Sequence, residues 1–117
     1  MAERIVVRGD LEDLRRRIDM LDEHLVRLLN ARAACALEIG RIKRELGVDI
    51  YQPARETEVL SNVNRLNTGP LGPQAIRRLF ERIIDEARHL ERVADEDFRA
   101  EQEEAGELLP PKEGSSA

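Results

Sequence analysis

From Leu11 to Leu46 the chain carries an apolar residue at alternating steps of three and four: Leu11, Leu14, Ile18, Leu21, Leu25, Leu28, Arg32, Cys35, Ile39, Ile42, Leu46. The steps never slip, which is the heptad signature of a helix that keeps one seam against a neighbouring helix. At about 1.5 Å rise per residue this stretch predicts a helix of about 54 Å, whereas a compact chain of this size has a radius of gyration near 14 Å, roughly. The helix must overhang its own domain, and a second copy of the chain is the expected cover for the overhanging seam. One seam position is charged. Arg32 has apolar residues on both sides, and a guanidinium there costs several kcal/mol, roughly, unless an anion or hydrogen-bond acceptors meet it.

Composition narrows the partners. With no Trp, one Tyr and two Phe, the core must be aliphatic, and 37% charged residues suit long amphipathic helices with solvated outer faces. The net charge of −5 comes from the end of the chain, where residues 95–117 hold eight acids against Arg99 and Lys112. The remainder is nearly neutral and has no basic block of the kind that binds nucleic acid. Cys35 has no partner for an intrachain disulfide, and its bland reading is a small apolar seam residue. No run of 18 apolar residues occurs, and Met1 to Asp10 lacks the apolar centre of a signal peptide. The expectation is a soluble, cytoplasmic protein with no membrane partner and no nucleic-acid partner.

Taken in order, residues 1–9 read as an N-terminal arm, with Asp10 expected as the N-cap of the long helix. Gly47, after Lys43 and Arg44, should end that helix. Pro53 opens a second helix with Val59, Leu60, Val63 and Leu66 inward, and Asn67-Thr68-Gly69-Pro70 ends it. Gly72-Pro73 opens a third, with Ile76, Leu79, Phe80, Ile83, Ile84, Ala87, Leu90 and Ala94 as its apolar stripe. The expected organisation is an all-α chain of three helices, one very long, with a helical domain over 10–96 and an acidic, disordered tail over 97–117.

The charged residues on or near these stripes are the candidates for function. Arg32 and Lys43 are eleven residues apart, so they share one helix face within about 20° and lie about 16 Å apart along the axis. Two long side chains can narrow that span over a small polyanion. Arg15 is about 25 Å from Arg32 and rotated by about 100°, out of reach of the same small ligand unless it comes from an antiparallel partner. As a first-turn arginine beside Arg16 and Arg17 it also reads as simply solvated. Arg55 opposes the dipole at the start of the second helix, and Glu91 sits at the edge of the third helix's stripe. His24 and His89 lack ligand-spaced neighbours, so no metal site is expected, and neither a phosphate loop nor a nucleophile elbow is present. Fixed cations with few other groups suit anion binding, or a reaction driven by positioning and electrostatics.

The ordered set Leu14-Arg15-Arg16-Arg17-Ile18-Asp19, Leu28-Leu29-Asn30-Ala31-Arg32, Ile39-Gly40-Arg41-Ile42-Lys43, Ile50-Tyr51-Gln52-Pro53-Ala54-Arg55-Glu56 and Leu79-Phe80-Glu81-Arg82-Ile83-Ile84 resembles the all-helical (AroQ-class) chorismate mutases. The resemblance covers about residues 10–94. It implies an intertwined helical homodimer that converts chorismate to prephenate by a [3,3] rearrangement without a cofactor, for phenylalanine and tyrosine synthesis. Carried over by residue, Arg15 of the partner chain and Arg32 would hold the two substrate carboxylates. Lys43 would bind a carboxylate and the ether oxygen, Arg55 and Glu56 would match the second-helix motif with Glu56 on the ring hydroxyl, and Ile39 and Ile84 would form apolar walls. Three positions depart from the commonest pattern: Gln52 replaces a frequent acid, Ala87 a frequent serine, and Glu91 stands where the second ether-oxygen donor is usually glutamine. A carboxylate cannot donate, so Glu91 serves there only when protonated. The resemblance leaves two rivals, isochorismate pyruvate lyase on the same fold and a weakly catalytic or regulatory metabolite-binding dimer that docks to another aromatic-pathway enzyme. A plain coiled-coil module is disfavoured by Arg32 on its seam.

Overall fold

Asp10 starts the first helix from inside it. In the computed structural model, which describes residues 7–108, α1 spans Arg8–Leu46, α2 Pro53–Leu66 and α3 Pro73–Leu108. The Asp10 side chain accepts a hydrogen bond from the Val7 N–H at 3.1 Å. It therefore works as an acid of the first turn reaching back to the N–H before the helix, and not as the N-cap expected from sequence. Arg8 and Gly9, read as part of an arm, are helical; the rest of that arm lies outside the described residues.

The other end of α1 follows the glycine. Gly47 takes φ +69°, its N–H donates to the Arg44 carbonyl at 3.3 Å, and the Val48 N–H donates to the Lys43 carbonyl at 2.9 Å. These paired bonds close the helix in a Schellman arrangement, and the left-handed backbone it needs is the reason for glycine at that position. Pro53 begins α2 as expected, behind Gln52. Asn67 ends α2, its side chain accepting from the Gly69 N–H at 3.0 Å and donating to the Leu71 carbonyl at 2.8 Å.

The chain divides after Ala34 into two units. The first holds the N-terminal part of α1, on which Leu11, Leu14, Ile18, Leu21, Leu25 and Leu28 are all exposed. The second holds the remainder of α1 with α2 and α3. There α2 packs on α3; Val59, Leu60 and Val63 are half-buried on the one helix and Ile76, Phe80, Ile83 and Ile84 on the other. Leu66 and Leu79, both expected inward, are exposed, because each lies at the margin of its stripe.

Among the described residues only Ala36 and Gly40 are buried. They are not on the leucine seam. With Lys43 they form the adjacent row, at spacings of four and three, and this row of small residues lets the end of α1 approach α3. A Cβ placed on Gly40 would lie 3.4 Å from the Glu91 Cγ. Own-chain packing thus uses the small row and leaves Ile39, Ile42 and Leu46 of the seam exposed.

The acidic segment expected to be disordered from 97 is helical as far as Leu108. Its Glu, Gln, Ala and Arg residues are good helix formers, and Phe98 anchors it with its ring under the Arg44 guanidinium, 5.2 Å from the centroid. The remainder of that tail lies outside the described residues.

Gly47 and Gly40 should respond oppositely to alanine. Gly47→Ala forces a side chain into a left-handed position and is expected to lower stability by about 1 kcal/mol, read as a lower urea midpoint at unchanged slope. Gly40→Ala, meeting Glu91 only at ordinary contact distance, should leave the midpoint level or raise it.

Candidate active site

The last turn of α1 brings Lys43 and Arg44 to α3. Lys43 is half-buried, and its Nζ donates to the Ile50 carbonyl at 3.0 Å. The helix-ending turn at Gly47 sends the chain back past this ammonium, so the loop and the lysine hold each other. Glu91 faces the same turn from α3, beside Gly40. Burial pushes the Glu91 carboxyl above its ordinary value, and it does so against the attraction of Lys43 and then of Arg44, which both pull it down. Arg44 is held over Phe98, and its Nη1 is buried without a hydrogen-bond partner among the described residues. A carboxyl raised in this way keeps its proton to higher pH than a free glutamate, even beside two cations.

A second cluster ties the loop, α2 and α3 together. The Arg88 guanidinium donates to Oε1 of Glu56, thirty-two residues away, and lies 5.1 Å above the Tyr51 ring. Among the described residues this is the only salt bridge that joins two helices; every other one links residues three or four apart. Glu56 is half-buried and sits in the first turn of α2, where a carboxylate also meets the positive end of the helix dipole.

The remaining candidates are placed as follows. Gln52 is exposed, and its carbonyl, not its side chain, accepts from the N–H groups of Arg55 and Glu56 at 3.1 and 3.3 Å. Arg55 is exposed and paired with Glu58. Both line an open hollow with Val48, Asp49 and Tyr51, a hollow that Lys43, Glu56 and Glu91 do not share. Ile39 is exposed and Ile84 half-buried. In the first unit, Arg15 is exposed and paired with Glu12 at 3.1 Å, while Arg32 is half-buried and has no carboxylate within ion-pair distance among the described residues. Among the same residues, no three His, Cys, Asp or Glu side chains gather to hold a metal ion, and no helix is long and apolar enough to cross a membrane.

Sequence reasoning passed over Tyr51, Arg88 and Arg44. Arg88 had a signal, since it lies four residues after Ile84 and three before Glu91, on the face that already carried both. Tyr51 and Arg44 had none, because a stack between residues far apart in the chain leaves no periodicity.

The family model for chorismate mutase type II matches residues 14–92. The bifunctional chorismate mutase/prephenate dehydratase of Pseudomonas aeruginosa is 42% identical over 86 residues, which cover 69% of this chain and 24% of that protein. The protein of the same description from Aquifex aeolicus is 39% identical over 87 residues, covering 71% of this chain and 24% of the relative. The chain thus spans about a quarter of the length of these curated relatives. A solved structure of chorismate mutase from Thermus thermophilus superposes with a TM-score of 0.70 at 36% identity, over 71% of this chain and 94% of the other. The family model covers two thirds of the chain, the relatives and the solved structure carry the same activity in their descriptions, and the chain belongs to the chorismate mutase type II family.

Proposed function

We propose that the chain is a chorismate mutase, an isomerase that rearranges chorismate to prephenate without a cofactor, and that it works as a homodimer in the cytoplasm. The observation that carries the reading is Glu91 beside Lys43, a carboxyl raised by burial next to a half-buried ammonium, in a member of this family. In the rearrangement the ether C–O bond breaks while a C–C bond forms, and negative charge gathers on the ether oxygen. Lys43 and a protonated Glu91 both donate to that oxygen and stabilise the transition state more than the ground state. Arg32 and the Arg15 of a second copy take the two carboxylates and hold the flexible side chain folded over the ring. Glu56 accepts from the ring hydroxyl, Gln52 and Arg55 flank the substrate, and Ile39 and Ile84 wall it. No proton changes place.

The second copy is supported by exposed surface. Nine large apolar residues of the α1 seam are 42–71% exposed. Covering what remains exposed on each adds roughly 1 kcal/mol per side chain, or between about 10 and 20 kcal/mol for two chains. That outweighs most of the range of about 4–15 kcal/mol that association costs. A lone Cys35 with no disulfide partner fits the cytoplasm. The bifunctional relatives, which carry a second activity in one chain, favour docking to another enzyme of aromatic amino-acid synthesis as an additional property.

Loss of chorismate absorbance with identification of the product tests the reading. Prephenate should form, and Arg32→Ala should lower kcat/KM about a hundredfold or more at unchanged helix content. Release of pyruvate would identify a lyase, and binding of a chorismate analogue without turnover a regulatory domain.

The pH dependence has a definite sign. Glu91 donates only while protonated, so kcat/KM should be level below its raised pKa and fall by up to about tenfold per unit above it. Glu91→Gln should remove the fall between about pH 5 and 8, and an unaltered protein with a flat profile would contradict the role assigned to Glu91.

Sedimentation at micromolar concentration should give twice the 13.4 kDa chain mass. Leu21→Lys combined with Leu25→Lys should abolish both the larger species and most of the helix signal. A fully helical monomer would contradict the dimer.

A further inference from the structure

The one inter-helix salt bridge among the described residues has no part in the mechanism above, yet it ends on Glu56. Arg88 leaves α3 half-exposed, stacks on Tyr51 and reaches Oε1 of Glu56 at the first turn of α2, with a second, weaker contact at 3.5 Å to the exposed Asp85. Three elements meet in this contact: the loop through Tyr51, α2 through Glu56 and α3 through Arg88. A glutamate side chain free in solution samples many rotamers, and fixing one carboxylate oxygen in a charge-assisted bond removes most of them. The second oxygen, Oε2, has no hydrogen-bond partner among the described residues and remains open as an acceptor. There is also an electrostatic reason for such a bond. A glutamate that must approach a dianionic substrate is repelled by it, and a guanidinium on its far oxygen offsets that repulsion.

We propose that Arg88, seated on Tyr51, is a positioning residue that aims Glu56 at the substrate's ring hydroxyl and so sets the preference for a hydroxylated ring. This rests on the chorismate mutase reading. Arg88 touches the carboxylate and not the substrate, so its removal acts only on a substrate that uses that carboxylate. Lysine at the same place keeps the charge but loses the planar stack on Tyr51 and the directed N–H donors, and restores the effect only in part.

The test compares two substrates with one preparation: chorismate, and the analogue in which hydrogen replaces the ring hydroxyl. The ratio of the two kcat/KM values does not depend on how much of a variant is folded, so weak folding does not spoil it. Arg88→Leu should lower the ratio roughly ten- to hundredfold, Arg88→Lys and Tyr51→Leu by less, and in a Glu56→Gln background Arg88→Leu should change it no further. An equal loss on both substrates, or an effect that persists in the Glu56→Gln background, overturns the proposal while leaving the mutase reading intact. An unaltered protein that turns over neither substrate overturns both.

Discussion

Nine leucines and isoleucines of the α1 seam stand exposed to solvent, uncovered by any of the described residues. Everything else in the structure accommodates that. The first unit is a helical stretch without any core, and the second buries only two small residues of α1. A chain of this length normally hides over half the surface of its unfolded form, and the described residues bury no large side chain fully. The exposed seam is the apolar surface that the proposed homodimer would bury. In the proposed homodimer a second copy covers it with the same seam and supplies Arg15 to the proposed site.

The candidate site uses the constraint in a second way. Own-chain packing at the end of α1 runs along Ala36, Gly40 and Lys43, so the row beside the seam is the one pressed against α3. Small residues there bring the backbone near Glu91, and the close approach strips water from its carboxyl. Two opposing influences then act on one group: desolvation favours the neutral acid, and the cations of Lys43 and Arg44 favour the carboxylate. Desolvation prevails in the single chain. The same local packing therefore fixes both the position of Glu91 and the upward shift of its carboxyl.

Much of this was legible in residues. The 3-4 spacing marked α1, Gly47 its end, Pro53 the start of α2, and the order of charged motifs pointed to the family. What escaped has physical causes. Asp10 looked like an N-cap because its type fits a cap and the first-turn role equally well, and only the Val7 N–H separates the two. The helix over 97–108 was hidden because acidic, apolar-poor sequence reads as disorder, while its good helix formers and the stack of Phe98 on Arg44 continue it. The row that actually packs in its own chain consists of Ala and Gly, which carry little hydrophobic signal. Arg88 was visible as a member of the Ile84–Glu91 face, but its pairing with Glu56 depends on how the loop returns the chain, which spacing does not encode.

In the proposed function the uncovered seam and the active site have one origin, a second chain. Mixing two inactive variants measures it most directly. Arg15→Ala and Arg32→Ala proteins, each nearly inactive alone, are unfolded together in urea, refolded and assayed for prephenate formation. If each site takes Arg15 from one chain and Arg32 from the other, half of the random pairs hold one intact site, and about a quarter of the unaltered activity returns. If the mixture stays as inactive as its parts while the dimer re-forms, Arg15 does not act across the interface, and a site shared between two chains is ruled out.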